Sequence, residues 1–374
     1  MPSWLKEGRG SLCGANVSLL LREMGITKPL LVAGERTKNV FFARTGMRLP
    51  VFDAFHPNPD LQDCVAGAAL YQEKGCDGLI SIGGGSAMDT AKGIKALLMT
   101  DIAHVRANQL PSEGNVPHLA IPGTAGTGAE TTAVAVLYEN GQKLSVDHPA
   151  LLPDGVLLDG SLLDTLPEYH RKSCAMDALA QGIESWWAKK ATPGSRIHAE
   201  RAIRGVLDNL TAYLQGDRKA QDEMLHAAYE SGVAILTTRT TAAHAMSYQI
   251  TKKLGAAHGH ACMLTLPHLW AHLAAQAEYQ PMLTELSRIL GGEKPMDGAI
   301  LLKGLLAVLE LDKIPMPDDA TLDMLAASVN LERLGNHPEA LTTAQLRAIY
   351  VQAFTPMTDT ERAEAIAAWE QYGK

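Results

Sequence analysis

The sequence predicts an α/β domain followed by an all-α helical domain, and three observations lead there. Short apolar runs at residues 29–33, 51–55, 78–82, 118–121 and 155–159 are bounded by Gly, Pro or polar residues, as strands of a covered parallel sheet are. Helical patterns at residues 17–25, 60–74 and 87–98 alternate with them, the order of βαβ units. Beyond Leu166 the periodicity is almost entirely helical, broken by short stretches such as Thr192-Pro193-Gly194 and Gly291-Gly292. At 374 residues the chain is too long for one ordinary core, so residues 1–164 are assigned to the α/β domain and 165–374 to the helical one.

With 46% apolar residues and no low-complexity tract or fixed-period repeat, both domains are expected to fold. The net charge is −8 with both signs interspersed, so no nucleic-acid partner and no anionic-membrane surface is expected. The N-terminal stretch has no apolar region followed by a cleavage site, and no run approaches the roughly 18 apolar residues of a spanning helix. The five cysteines, Cys13, Cys64, Cys76, Cys174 and Cys262, are scattered without a CxxC pair. They read as small buried thiols in a reducing, cytoplasmic compartment.

In chain order, the first apolar run ends at Gly34-Glu35-Arg36. The third runs straight into Gly83-Gly84-Gly85-Ser86. Glycine lets a backbone turn sharply and approach an anion, and Ser86 with Asp89 is placed for a capping-box-like start to the helix at 87–98. That helix N-terminus would offer free N–H groups and the positive end of its dipole to a pyrophosphate. Met88 stands at the third glycine of GxGxxG, so the standard dinucleotide fingerprint is not met. A second loop, residues 122–130, is dense in glycine and hydroxyl groups, with Thr124 and Thr127 suited to phosphate or ribose. Each loop alone also reads as a flexible connection; the two together point to a nucleotide. Residues 132–146 flank an Asn140-Gly141 turn, a hairpin bearing Lys143.

In the helical part, Met176, Leu179, Ala180, Ile183 and Trp187 form an apolar face with Asp177, Gln181 and Glu184 as a polar stripe beside it. Asp177 and Gln181 project together, one turn apart. Further on, His244 and Tyr248 share a helical face, while His258 and His260 follow Gly255 in a turn and helix start. Two histidines and a carboxylate from separate elements are ligands that a zinc or ferrous ion accepts. A lone Asp or His on an apolar face is more often a hydrogen-bonded core residue, so spacing by itself leaves both readings open.

GGGSAMDTAK (83–92), IPGTAGTGAETT (121–132), KLSVDHPALLPD (143–154), MDALAQGIES (176–185) and the HAMSY, HGH and LPH block resemble, in the same order, the motifs of the iron-containing alcohol dehydrogenase family. The resemblance spans nearly the whole chain. It implies the dehydroquinate synthase-like fold of that family, with a nucleotide-binding N-terminal domain, a helical metal-binding domain and the metal between them. The family's four ligand positions fall on Asp177, Gln181, His244 and His258. Its cofactor positions fall on Asn58, the turn of Gly83, Gly84, Gly85 and Ser86, and Thr124, Thr127 and Lys143; Asp89 joins them as the cap partner of Ser86. The second ligand is usually His and here is Gln181; the residue four after the third is usually His and here is Tyr248. A neutral amide oxygen is a poorer ligand than imidazole, so weaker binding or a water in the fourth place is expected. DALAQGIES, the short hairpin, HAMSY followed by HGH, and SVNLERLGNHP (328–338) resemble the phosphonoacetaldehyde reductase subgroup.

The implied reaction is metal-dependent, NAD(P)H-linked reduction of a small aldehyde, phosphonoacetaldehyde to 2-hydroxyethylphosphonate. Fe2+ or Zn2+ would stabilise charge on the carbonyl oxygen as hydride arrives, with Tyr248 or His260 as candidate proton donor, each equally readable as packing. Gly34 stands where NAD-preferring relatives place an acidic ribose ligand, and Arg36 would pair with a 2′-phosphate, which favours NADPH, while Glu35 leaves NADH open. Lys252, Lys253 and Arg333 are cations considered for the phosphonate, and each also reads as a solvated helix residue. A homodimer is compatible with this reading. Two alternatives stay open: a dehydrogenase of an ordinary small alcohol, aldehyde or polyol, and a non-catalytic nucleotide-binding relative without metal.

Overall fold

The apolar runs form strands, and the strands pair as one parallel sheet. The computed structural model describes residues 6–112 and 116–372. The chain forms two compact units that divide between Thr165 and Leu166. The first carries β1 (Lys6–Arg9), α1 (Gly14–Glu23), β2 (Pro29–Ala33), α2 (Glu35–Thr45), β3 (Val51–Phe52), α3 (Leu61–Lys74), β4 (Gly78–Gly83), α4 (Gly85–Met99), α5 (Ile102–Arg106), β5 (His118–Pro122), β6 (Val134–Glu139), β7 (Gln142–Asp147) and β8 (Gly155–Leu158). The sheet order is β1-β8-β5-β4-β2-β3, all neighbours parallel, and β6 and β7 form a separate antiparallel hairpin.

Every residue of β2, β4, β5 and β8 is buried, as a sheet covered on both faces requires. Alternate residues go to opposite faces. Leu31, Ala33, Ile80 and Ile82 pack with Val17, Leu20 and Phe41 of α1 and α2. Leu30, Val32 and Leu79 pack with Leu61, Cys64, Ala91 and Ile94 of α3 and α4. From β2 the chain moves outward to β3 and returns to β4 on the other side of β2, so the strand order reverses between β2 and β4. Ligands of open parallel sheets bind at the carboxyl ends of strands at such a point.

Three local expectations differ from the structure. β1 is not anticipated because KEGR is charged; it is held at the sheet edge by pairing with β8, where polar side chains are tolerated. The run at 51–55 yields a strand of Val51–Phe52 alone, with the following residues curving into the capped start of α3 at Asp60. The capping box at Ser86 and Asp89 is absent: α4 begins at Gly85 with Gly84 as N-cap and no side-chain cap.

The second unit is helical: α6 (Glu168–Trp187), α7 (Pro193–Leu214), α8 (Arg218–Thr238), α9 (Ala242–Gln249), α10 (His258–Ala274), α11 (Gln280–Leu290), α12 (Asp297–Val308), α13 (Asp319–Ala327), α14 (Leu331–Leu334), α15 (Thr343–Phe354) and α16 (Asp359–Tyr372). α9 runs on into a π-helical turn, Ile250–Leu254, closed by Gly255 at φ 74°. The apolar α10 is the central helix, packing against α6, α9, α12 and α15. Trp187 at the end of α6 meets Trp270 of α10 at 5.7 Å between ring centres. No helix among the described residues is long and apolar enough to cross a membrane.

Candidate functional site

The first unit presents a cavity of about 340 Å3 at the β2/β4 reversal, lined by Gly34, Arg36, Thr37, Phe55 and the turn from Gly83 to Ser86. Gly83 adopts φ 146°, which an L side chain rarely accepts, so the strand can turn sharply into α4. The second loop packs directly on this turn: the N–H of Gly123 donates to the Gly83 carbonyl at 2.7 Å, and Thr124 and Thr127 face Gly84 and Gly85. Ser86 accepts a hydrogen bond from the N–H of Asn58 at 3.2 Å, with Asn58 in a left-handed conformation at φ 57°. Gly34, Asn58, the glycine turn, Thr124 and Thr127 thus come together around exposed N–H groups at a helix start.

Asp89 and Lys143 stand differently. Burial pushes the Asp89 carboxyl up to about 6 against the opposing charges of Lys92 and Lys143 and a hydrogen bond from the Val136 backbone. Asp89 therefore faces the β6/β7 hairpin. At the rim of the cavity Arg36 is exposed and donates to the Thr165 hydroxyl. The Glu35 carboxylate is taken up by Lys38 at 2.5 Å and Asn39 at 3.1 Å.

In the second unit, Asp177, His244, His258 and Cys262 each offer one ligand atom, and these atoms lie within 4.8 Å of one another. Three helices supply them: α6 carries Asp177, α9 carries His244, and α10 carries His258 with Cys262 one turn later. Gly259 allows the close approach. A Cβ there would lie 2.0 Å from the Ser173 carbonyl oxygen and 2.6 Å from the Asp177 nitrogen, so the start of α10 rests on the backbone of α6.

Hydrogen bonds set which ring nitrogen faces inward. Glu184 of α6 accepts from the Thr241 N–H at 3.1 Å, the Thr241 hydroxyl at 2.6 Å and the Ala243 N–H at 2.9 Å, which satisfies the free donors at the start of α9. Its other oxygen takes Nδ1–H of His244, leaving Nε2 to face Asp177 Oδ1 at 3.2 Å. Ser247 donates its hydroxyl to the His244 carbonyl at 2.8 Å, so it can only accept from Nδ1 of His258 at 3.4 Å. Nε2 of His258 is then free to point at Asp177 Oδ1, 3.9 Å away, and at Cys262 Sγ, also 3.9 Å away. A carboxylate or hydroxyl fixing the outer nitrogen is the usual support of a metal-binding histidine.

The electrostatics favour a cation. Burial alone would raise the carboxyls of Asp177 and Glu184, but the charge of His258 on Asp177 and that of His244 on Glu184 hold both below the ordinary carboxylate range. Burial also pushes the Cys262 thiol up, and His244 and His258 more than offset it, bringing it down to about 7. One carboxylate and an acidic thiol thus face the inner nitrogens of the two histidines, with Glu184 behind His244.

The remaining residues expected here divide. Gln181 turns its oxygen to the Ser231 hydroxyl at 2.8 Å, and its NH2 group lies 3.5 Å from Asp177 Oδ1. Tyr248 stacks on the partly exposed ring of His258, 6.2 Å between centres and 6° from parallel. His260 has both nitrogens engaged: Nε2–H donates to the Leu311 carbonyl at 2.8 Å, and Nδ1 accepts from Tyr169 at 3.1 Å. Cys262 is the residue that sequence reasoning missed. Its signal was the four-residue spacing from His258, which puts both on one helical face.

Two family models cover most of the chain. The iron-containing alcohol dehydrogenase model matches residues 3–160, and the model of the C-terminal domain of the Fe-containing alcohol dehydrogenase family matches residues 172–354. The NAD-dependent methanol dehydrogenase of Bacillus methanolicus is 30% identical over 299 residues, which cover 75% of this chain and 77% of that protein. The chain belongs to the iron-containing alcohol dehydrogenase family. As a member it is an NAD(P)-dependent oxidoreductase of alcohols and aldehydes. The phosphonoacetaldehyde reductase of Streptomyces viridochromogenes is 36% identical over 228 residues, 57% of this chain and 58% of that protein. The crystal structure of a sulfoacetaldehyde reductase from Bifidobacterium kashiwanohense in complex with NAD+ shares the fold at a TM-score of 0.85 and 26% identity, covering 95% of this chain and 97% of that one.

Proposed function

We propose that this family member reduces phosphonoacetaldehyde to 2-hydroxyethylphosphonate with NADPH, using a divalent cation held by Asp177, His244 and His258. The observation that carries the metal assignment is the convergence of Nε2 of both histidines with a carboxylate oxygen of Asp177. A divalent cation bound there supplies Lewis acidity, worth roughly several kcal/mol on charge developing at a carbonyl oxygen. Glu184 and Ser247 engage the outer nitrogens of the two imidazoles, so that Nε2 of each is aimed inward and would lose its proton to a bound cation. We assign the proton transfer to the alcohol oxygen to Tyr248, together with solvent, because its ring stacks on the partly exposed ring of His258. His260, committed on both sides, instead holds the start of α10.

The glycine turn and the start of α4 are assigned to the pyrophosphate of the dinucleotide, with Asn58, Thr124 and Thr127 around it and Lys143 standing off on the hairpin beside Asp89. A 2′-phosphate suits the Gly34 side. Nothing lies within 4 Å of a Cβ built on Gly34, Arg36 stands exposed beside it, and Glu35 is neutralised by Lys38. Those three features support NADPH over NADH.

The substrate assignment rests on likeness. Phosphonoacetaldehyde and sulfoacetaldehyde are both acetaldehydes carrying a tetrahedral oxyanion on the second carbon, and reductases of both are among the relatives. Following NADPH oxidation with phosphonoacetaldehyde, sulfoacetaldehyde and propanal tests it. We expect kcat/KM for the phosphonate at least about 100-fold above that for propanal, roughly the worth of one charge-assisted contact. Equal values would reassign the enzyme to ordinary small aldehydes.

A further inference from the structure

We propose that the Cys262 thiolate is the fourth metal ligand, in the place where the family pattern puts Gln181. The proposal rests on the metal reading above and goes one step further, to the composition of the donor set.

Geometry carries it. A tetrahedral site with metal–nitrogen and metal–oxygen bonds near 2.0–2.1 Å and a metal–sulfur bond near 2.3 Å has donor-to-donor edges of about 3.3–3.6 Å. The observed edges are 3.2 Å from Asp177 Oδ1 to His244 Nε2, 3.9 Å from Asp177 Oδ1 to His258 Nε2, and 3.9 Å from His258 Nε2 to Cys262 Sγ. The sulfur lies within 4.8 Å of all three other donors, so a contraction of a few tenths of an ångström to about one ångström brings the four onto one ion. Cys262 is fully buried on α10, one turn beyond His258, so the helix that delivers one ligand delivers the other.

Gln181 is turned the other way. Its oxygen meets the Ser231 hydroxyl, which also lies 2.7 Å from the Ala228 carbonyl, and its NH2 group is the end nearest Asp177. An amide nitrogen carrying two protons is no ligand, but it can steady the Asp177 carboxylate by a hydrogen bond. Gln181 thus acts as a positioning residue. An Asp, two His and a Cys carry two negative charges against a divalent ion and include one soft donor. That set holds zinc in preference to ferrous iron.

The test uses the full chain, stripped with chelator and reloaded with one equivalent of Co2+. Thiolate ligation gives a near-ultraviolet thiolate-to-cobalt charge-transfer band. We expect the band in the wild type and in Cys76→Ser and Cys174→Ser, and its loss in Cys262→Ser and Cys262→His. Zinc affinity, from competition with a chelating dye, should fall roughly 100-fold or more in Cys262→Ser, beyond the 10–100-fold typical of an outer hydrogen-bonding partner. X-ray absorption of the zinc form should place one sulfur near 2.3 Å. If Cys262→Ser does not fold, the wild-type spectrum decides. Wild-type protein that binds cobalt without the band, or with a band that survives Cys262→Ser, overturns the proposal and leaves the metal reading standing. Wild-type protein that takes up no metal and still reduces aldehyde overturns both.

Discussion

The glycine turn of the first unit offers a ligand backbone N–H groups, whereas the cluster of the second offers side-chain donors from three helices. The turn is local. Its shape follows from a few adjacent glycines and the loop that packs on them, with Gly123 bonded to Gly83 at 2.7 Å. The cluster spans residues 177 to 262 and exists only while α6, α9 and α10 keep their packing. A backbone site is thus a property of a short segment, and a side-chain site is a property of a core.

The sharpest way to break that contrast is at Gly259, where a Cβ would meet the Ser173 carbonyl at 2.0 Å. Gly259→Ala must push α10 off α6, and overpacking of this kind costs about 1–3 kcal/mol or more. Metal content measured by elemental analysis should fall below detection, with nucleotide binding to the glycine turn retained; full metal occupancy in the variant would show that the cluster does not depend on this contact. Next in size is Gly83→Ala. Forcing a side chain into φ 146° costs about 1–3 kcal/mol, so KM for the nucleotide should rise about tenfold or more while metal content stays unchanged. A fall in both would mean the two sites are not separable.

A smaller effect is expected from Glu184→Gln. The amide still accepts from the N–H groups of α9 but no longer charges the Nδ1–H of His244, so metal affinity should drop 10–100-fold, roughly, in a chelator competition. An unchanged affinity would leave Glu184 as a helix cap only.

An effect on stability alone, separate from both sites' ligands, concerns the buried acid Glu130. Burial raises Glu130 from 4.5 to about 7, only partly opposed by a backbone hydrogen bond and Lys92. The folded state therefore keeps this proton longer than the unfolded chain does. The associated stability is complete below pH 4.5 and is lost as pH rises through about 7. Glu130→Gln stays neutral, so urea unfolding should show it gaining on the wild type between those values, by at most about 3 kcal/mol. A difference that does not change with pH would contradict the assignment.

The same contrast explains what could be read from the sequence. Buried parallel strands announce themselves as apolar runs, and the glycine turn is contiguous, so the α/β unit and its cavity were legible in outline. The helical unit was legible as periodicity. β1 escaped because edge pairing with β8 demands no apolar pattern of KEGR. The expected cap at Ser86 failed because Gly84 serves as N-cap, its carbonyl taking the Ala87 N–H at 3.1 Å, and no side chain caps the start of α4. In the cluster, Asp177, His244 and His258 could be named from residue type and motif. Which atom of Gln181 faces the site depends on Ser231, fifty residues away, and the engagement of His260 depends on Tyr169 and Leu311. Cys262 was passed over because a buried cysteine without a CxxC partner reads as core.

We propose that a cation held by Asp177, His244 and His258 is required for hydride transfer to the aldehyde. Elemental analysis and NADPH oxidation measured on the same preparations of wild type and Asp177→Ala test it most directly. We expect one divalent ion per chain in the wild type, none in the variant, and a rate lowered at least ~10³-fold with the fold intact by circular dichroism. A metal-free Asp177→Ala that reduces the aldehyde at the wild-type rate would contradict it.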